Sequence, residues 1–464
     1  MVPPMSGEES SARAAALEAL RRAAGGAGFL RDALHAVFQG SSLLPRDRAL
    51  ATQLATGVIR HRRTLRLLLG HVRGSGARPI QPALRDILDL GAFQLLFLDR
   101  VPAYAAVNEA AAAAGRTAKG IRGTKAAGFV NAMLRGLGRL IAGRQADGRP
   151  GPDAVPHPEG GIVRLKAAVL PDPQEDRAVF LGAAYSYPDW LAAAWLEAFG
   201  DAAEDICRWG NRRPHTYARV NRMRHEPADL LRALQAESPD VAAGPRPGSL
   251  DVSALDVARL EALIEDGSLT VQDPSAMAAV EALVPAAGES VLDLCASPGT
   301  KTTQIVEAMG DTGRVVACDR SEEKLLPLRK TVAGRGLRSV TVLLADDLAG
   351  ATPEGGFDAA LVDAPCSNTG VLARRVEARW RLRPEDLAEL AALQTERLVA
   401  AASRVRPGGR LVYSTCSLQT EENDAVAAAL PAAHPLWRLE RRQLVLPGPD
   451  HDGAFWALAV SGSR

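Results

Sequence analysis

Two short stretches of this sequence put a cysteine where a ligand could reach it. Asp363-Ala364-Pro365-Cys366-Ser367 follows an apolar run over 358–362, and Thr415-Cys416-Ser417 follows another over 409–414. Both runs read as β-strands, so both thiols sit at strand ends. Free cysteine is usually a core residue, and one such thiol would ordinarily be packing. Two of them, one beside Asp363 and a proline, place a pair of nucleophilic sulfurs with a carboxylate. The other three cysteines are Cys207, Cys295 and Cys318, and no CxxC pair exists, which argues against a disulfide framework or a structural zinc site. No metal is expected.

Methylation of cytosine at carbon 5 would use such a set. Carbon 5 is a poor nucleophile. Addition of a thiolate to carbon 6 turns the ring into an enamine, and carbon 5 can then attack a methylsulfonium. An acid near ring N3 favours the addition, and a base must later take the carbon-5 proton so that the enzyme thiol can leave. The base must also be unstacked to reach the thiols.

A methyl donor needs its own site. Asp293-Leu294-Cys295-Ala296-Ser297-Pro298-Gly299-Thr300-Lys301 joins a strand, 290–294, to a helix. Small residues and a glycine let the backbone approach a ligand, and the helix start offers free N–H groups. Thr300 separates Gly299 from Lys301, so this is no P-loop, and one glycine stands where a dinucleotide fingerprint wants three. Asp319 ends the next strand, 314–318, twenty residues beyond Gly299, which suits an acid on ribose hydroxyls or the cap of a helix over 321–330.

These strands belong to an alternation of strands and helices from about 269 onward. A further strand over 340–345 ends at Asp346-Asp347. Polar residues at the C-terminal end of each strand describe an open, doubly wound α/β sheet that binds ligands along that edge. Upstream the chain differs. Residues 9–140 carry apolar positions at spacings of three and four, with turn signals at Gly25-Gly26 and Gly74-Ser75-Gly76, and read as almost entirely helical. Eleven Gly and Pro residues crowd 143–173, which reads as a flexible linker. Residues 177–268 mix helices with short strands, among them 217–221. The expected order is a helical domain over 1–142, a linker over 143–176, a small α/β region over 177–268 and a Rossmann-like domain over 269–464.

Charge separates these parts. The chain carries a formal +1, yet residues 1–140 hold 18 Arg and 2 Lys against 9 Asp or Glu, a net +11 that leaves −10 for the rest. A basic module on a near-neutral protein suits a polyanion, most plausibly nucleic acid. The run Arg60-His61-Arg62-Arg63 with Arg66 and Arg73 would serve that or a solvated surface. Aromatic residues make 4%, too few for stacking to dominate binding. No apolar run spans a bilayer, and Met1 to Ala12 lacks the layout of a signal peptide, so a cytoplasmic protein without a membrane partner is expected, as a monomer.

The motifs Asp-Leu-Cys-Ala-Ser-Pro-Gly-Thr-Lys-Thr (293–302), Asp-Ala-Pro-Cys-Ser (363–367), Thr-Gly-Val-Leu (369–372) and Tyr-Ser-Thr-Cys-Ser (413–417) together resemble those of the RNA cytosine-C5 methyltransferases of the Nop/Sun superfamily. Over essentially its whole length the chain is similar to the bacterial ribosomal RNA small-subunit methyltransferase B family, also called Fmu or Sun, which methylates cytosine 967 of 16S rRNA. Arg219-Val220-Asn221 resembles that family's Arg-x-Asn signature, and Val107-Asn108-Glu109-Ala110 with 128–135 resembles its NusB-like RNA-binding module. The resemblance implies S-adenosylmethionine as cofactor and RNA, in or out of an assembling small subunit, as partner. It implies Cys416 as nucleophile, Cys366 as the thiol that assists release, and Asp363 near ring N3. It also implies a cofactor loop of Cys295, Ala296, Ser297, Pro298, Gly299, Thr300 and Lys301, with Asp319 on the ribose and Asp346 or its neighbour Asp347 by the adenine. Lys301 would position Asp363 or the methionine part, or else lie in solvent.

Departures stand beside the likeness. Ser297 and Thr300 replace the family's Ala and Gly, and Ala373-Arg374-Arg375-Val376-Glu377 replaces Arg-Arg-His-Pro-Asp. A DNA cytosine methyltransferase would need no second thiol of the Thr-Cys-Ser kind. A relative acting on tRNA shares every motif. A non-catalytic RNA-binding protein would be expected to have lost Cys416, Cys366 or Asp363.

Overall fold

The computed structural model describes residues 11–25, 28–76, 78–117 and 121–462. Met1–Ser10, most of the segment in which a leader was sought, and Gly26 of the first turn signal lie outside them. The chain forms two compact units, one of residues up to Arg212 with Arg379–Arg381, the other of 213–378 and 382–464. Among the described residues, no helix is long and apolar enough to cross a membrane.

Six helices open the first unit, Ala12–Ala24, Leu30–Gln39, Pro45–Arg73, Pro82–Phe97, Ala103–Thr117 and Ile121–Leu140, as the periodicity expects. Their apolar stripes meet in one core that includes Leu54, Leu65, Leu88 and Leu134. Glycines set how closely the helix Pro82–Phe97 approaches two of the others, Pro45–Arg73 and Ile121–Leu140. A Cβ at Gly57 would lie 2.1 Å from the Phe93 ring, and one at Gly91 2.5 Å from Leu134. The basic run is only partly a surface: His61 is buried against Phe97, Arg63 pairs with Asp189 at 2.6 Å and Arg66 with Asp89 at 2.9 Å.

The linker reading needs correction. Residues 141–165 hold a three-stranded antiparallel sheet, β1 (Ile141–Gln145), β2 (Ala154–Pro156) and β3 (Ile162–Leu165), in the order β1-β3-β2. The glycines and prolines supply its turns, with Gly160 and Gly161 both at positive φ. Val155, Ile162, Val163 and Leu165 are buried, so the stretch carries a small core. Three helices, Arg177–Tyr185, Asp189–Phe199 and Ala202–Trp209, complete the unit, which therefore ends well after the boundary expected at 176. Arg379 is wholly buried in this unit, over the Tyr187 ring at 4.2 Å, and donates to Asn211 Oδ1 at 2.7 Å and Gly210 O at 2.9 Å.

The second unit opens on a four-stranded antiparallel sheet, β4 (Tyr217–Val220), β5 (Ala242–Ala243), β6 (Ser249–Asp251) and β7 (Leu269–Val271), ordered β5-β6-β4-β7. A seven-stranded sheet comes next, made of β8 (Ser290–Leu294), β9 (Arg314–Asp319), β10 (Val340–Leu344), β11 (Phe357–Asp363), β12 (Val405–Thr415), β13 (Trp437–Val445) and β14 (Ala454–Ser461). Its order is β10-β9-β8-β11-β12-β14-β13. The first five are parallel, and β14 and β13 add an antiparallel edge. The chain runs outward from β8 to β10, then returns to lay β11 on the other side of β8. That reversal opens a crevice at the C-terminal ends of β8 and β11, where doubly wound sheets bind ligands. Helices cover both faces, and the central strands are mostly apolar, as strands buried on two sides must be, with Asp293 of β8 the buried exception.

Candidate active site

The loop after β8 takes its shape from two residues. Cys295 has φ 68° and Gly299 φ 108°, and a Cβ on Gly299 would lie 2.5 Å from Leu328 Cδ1. Thr300 is the first residue of the helix Thr300–Ala308, so its side chain meets no left-handed strain. The departure at position 300 is thereby explained: the constraint falls on Gly299. No side chain caps the helix, which leaves its first N–H groups facing the crevice. The helix is held from behind by Arg219 of the Arg-x-Asn signature. Its guanidinium is buried and reaches Glu307 at 2.9 and 3.0 Å, Thr303 Oγ1 at 3.0 Å and Thr300 O at 3.2 Å. The sequence marked Arg219 as a signature without indicating this bracing role.

Asp293 lies beneath the loop, wholly buried. Thr302 Oγ1 donates to Oδ2 at 2.6 Å, while Oδ1 has no protein partner. Burial, against the Thr302 bond, pushes its pKa up to about 7. In an unfolded chain the group ionises near pH ~3.9, so its neutral form favours folding at low pH. That stability is fully present below about pH 4 and is lost as pH rises through about 7. The melting-temperature advantage of Asp293→Asn over wild type is therefore expected to widen between about pH 4 and 7 and to level off above. A gap that stays constant across calorimetric scans in that range would refute the buried-carboxyl assignment.

Asp319 ends β9 and accepts from the Arg320 N–H at 2.7 Å. It caps no helix: the N-cap of Glu322–Arg335 is Ser321. Asp346 and Asp347 come after β10 in a short 3-10 turn, both exposed.

The chemistry-bearing residues close the crevice from β11 and β12. Asp363 and Ser414 are register partners at the ends of these strands, and Ser414 Oγ donates to Asp363 Oδ1 at 2.7 Å. Lys301 Nζ holds the other oxygen at 2.6 Å. Lys301 is therefore largely buried and paired, not in solvent. Burial works against its charge, but Asp363 outweighs that, with Cys416 and Asp293 adding to it, and its pKa stands above the ordinary lysine value. The two thiols meet, with Cys366 Sγ 3.1 Å from Cys416 Sγ. Cys416 also lies 3.4 Å from Asn368 Oδ1, and Asn368, at φ 61°, donates to Cys366 O at 2.8 Å. The hydrogen bond to Cys416, then burial, then the charges of Cys416 and Glu422 raise the Cys366 pKa well above that of a free thiol. Gly370 completes the turn of the Thr-Gly-Val-Leu motif: its N–H donates to Cys416 O at 2.9 Å, and a Cβ would lie 2.5 Å from Gly453 O.

Within the departing stretch 373–377, Arg374 stands where the family also has Arg. Arg374 binds Asp452 at 2.5 Å, Asp273 at 3.0 Å and His215 O at 2.9 Å, and so locks its loop onto the catalytic unit.

The geometry has counterparts in known proteins. Residues 280–451 match the family described as 16S rRNA methyltransferase RsmB/F, 10–139 match the NusB family, and 187–250 match the ferredoxin-like domain of RsmF/B-like methyltransferases. The chain is 36% identical to a protein of Synechocystis sp. named as a probable ribosomal RNA small subunit methyltransferase B, over 88% of this chain and 86% of that one. The Bacillus subtilis protein of the same name is 32% identical over 92% and 90% of the two chains. This chain belongs to the ribosomal RNA small subunit methyltransferase B family. Like that family, it is an S-adenosylmethionine-dependent methyltransferase.

Solved structures share the fold of this chain. That of PH0851 superposes with a TM-score of 0.74 at 24% identity, covering 99% of each chain. That of NSun6 from Pyrococcus horikoshii with SFG gives 0.53 at 20% identity, over 60% of this chain and all of the other. In this family member the residues present fit S-adenosylmethionine. The orphan oxygen of Asp293 suits an ammonium, and the uncapped helix start suits a carboxylate.

Proposed function

We propose that this protein methylates carbon 5 of a cytosine in small-subunit ribosomal RNA, position 967 of 16S rRNA, through a covalent bond between Cys416 and carbon 6 of the base. The observation that carries this reading is the pair of thiols 3.1 Å apart, beside Asp363 and its Lys301 partner and next to the cofactor loop. One thiol would suffice for attack alone; a second in contact with it suits a reaction that must also undo the bond. The basic N-terminal residues and their NusB match support RNA as the partner. We place the reaction in the cytoplasm and the protein as a monomer.

Cys416 attacks as thiolate, forming the S–C6 bond and driving the ring electrons toward N3. Asp363, fixed by Ser414 and Lys301, meets the ring there, and the Lys301 ammonium offsets the charge that builds. Bound S-adenosylmethionine supplies the electrophilic methyl carbon. Asp319 would hold its ribose and Asp346 or Asp347 its adenine. Contact with Cys416, burial and the nearby charges hold the Cys366 pKa well above that of a free thiol, which suits it less to attack than to the later step. At release the carbon-5 proton leaves to a base, the ring double bond re-forms and the S–C6 bond breaks with its electron pair returning to Cys416; Cys366, in contact with that sulfur, is placed to assist this step.

The test is transfer of labelled methyl from S-adenosylmethionine to unmodified small-subunit rRNA and to unmodified tRNA, with nucleosides identified by mass spectrometry. 5-Methylcytosine at one position of the rRNA is expected. Label in tRNA alone would move the substrate to a different RNA, and label on another atom would overturn the carbon-5 reading.

A further inference from the structure

A carboxylate lies behind the thiols, and its hydrogen bonds go to neither sulfur. Glu422 is wholly buried, and the partners it binds are all neutral. Its Oε1 accepts from the Ser367 backbone N–H at 2.8 Å and from Gln394 Nε2 at 2.9 Å. Its Oε2 accepts from the hydroxyl of Ser367 and from that of Ser417, the latter at 2.5 Å. Ser367 comes directly after Cys366 in the chain, and Ser417 directly after Cys416. A single carboxylate thus bonds the residue after each thiol.

Its supports reach the same two loops from the other side. Gln394 also donates to Pro365 O at 2.9 Å, just before Cys366. The Tyr413 hydroxyl, on the strand that leads to Cys416, lies 2.5 Å from Glu422 O and 3.1 Å from Gln394 Oε1. Strand pairing cannot do this work, because the β11–β12 register ends at Asp363 and Ser414, short of both cysteines. A buried charge without a cation is costly, and an apolar residue would fill the space at less cost. The carboxylate offers what no apolar side chain can, acceptors for both loops at once.

We infer that Glu422 is a positioning residue that ties the Cys366 and Cys416 loops into one body, holding the releasing thiol against the attacking one. The inference rests on the proposed cysteine mechanism for its kinetic consequence and on geometry alone for the thiol separation. Both are measurable. Diamide takes one hydrogen from each of two adjacent thiols and joins the sulfurs, so its rate reports how close Cys366 and Cys416 lie. Peptide mapping identifies that pair among the five cysteines.

Full-length wild type, Glu422→Ala, Glu422→Gln and the double variant Ser367→Ala/Ser417→Ala are compared for diamide joining, kcat and KM on rRNA, and S-adenosylmethionine binding. Glu422→Ala should join its thiols about tenfold more slowly and lose on the order of 10²-fold in kcat, with KM and cofactor affinity nearly unchanged. Glu422→Gln should retain most of both rates, because serine hydroxyls can turn to accept from its amide. Should Glu422→Ala fail to bind cofactor, the double serine variant decides, since it keeps the carboxylate and removes two of its four bonds; both rates should then fall severalfold. A folded variant that joins its thiols and turns over like wild type would overturn the inference, as would a loss of kcat with thiol joining unchanged. If wild type methylates no RNA, the cysteine mechanism fails by itself, and the diamide rates still decide whether Glu422 sets the thiol separation.

Discussion

Incubated with S-adenosylmethionine and unmodified small-subunit rRNA, Cys366→Ala is expected to accumulate a protein–RNA adduct that survives a denaturing gel, while Cys416→Ala forms none and methylates nothing. The two sulfurs are 3.1 Å apart, so distance alone does not assign their roles. The hydrogen bond to Cys416, burial and the nearby charges raise the Cys366 pKa, which disfavours the thiolate that attack on carbon 6 requires and so supports Cys416 as the proposed nucleophile. Loss of the nucleophile should lower turnover by on the order of 10⁴-fold or more, to background, as removing a covalent nucleophile does elsewhere. Loss of Cys366 leaves attack possible and removes the group that helps undo it, so the covalent species builds up. An adduct in Cys416→Ala instead would reverse the assignment and make Cys366 the attacking thiol, the Pro-Cys chemistry of DNA cytosine methyltransferases. Methylation by wild type with no adduct in either variant would remove the covalent step altogether.

The ends of the strands were the most legible part of this chain. Strands read over 290–294, 314–318, 340–345, 358–362 and 409–414 coincide with β8 to β12, because buried parallel strands are short apolar runs bounded by polar residues. Cys295, Asp319, Asp346, Asp363 and Cys416 stand at or just past the ends of these runs, and that position marks them without any structure. Three things escaped that method. The sheet over 141–165 was hidden by its composition: glycine and proline mark turns, and turns separated by three or four apolar residues make a small sheet as readily as a linker. Asp319 looked like a helix cap because an acid two residues before a helical pattern usually is one, yet Ser321 intervenes. Glu422, Ser414 and Asn368 act through contacts across two strands and two loops, and only the β11–β12 register brings those loops together. A carboxylate six residues past Cys416 reads as an ordinary acid at the start of a helix. The fold alone reveals that it points back into the protein and binds the other thiol's loop.

Lys301→Met is expected to lower kcat by about 10²- to 10³-fold while cofactor binding by calorimetry changes little. The sequence left this lysine among three places: on Asp363, on the methionine part, or in solvent. Its ammonium lies 2.6 Å from Asp363 Oδ2 and is largely buried, so the first is the one to test. Lys301 keeps its charge because Asp363 more than offsets the cost of burial. Asp363 in turn keeps its orientation because Lys301 and Ser414 each occupy one of its oxygens. Removing either partner loses the same thing, a fixed carboxylate backed by a positive charge where the ring gathers electrons. Asp363→Asn should therefore fall as far as Lys301→Met, and the double variant hardly further, since groups that act as a unit are not additive. Both single variants should also melt lower, because each leaves one charge of a largely buried pair uncompensated, and the double variant should recover part of that loss. Additive kinetic losses would mean that Lys301 works on the cofactor instead. In that case S-adenosylmethionine affinity, and not kcat, would carry the change. Activity like wild type in Lys301→Met would show that the ion pair takes no part in the chemistry and that Ser414 suffices to hold Asp363.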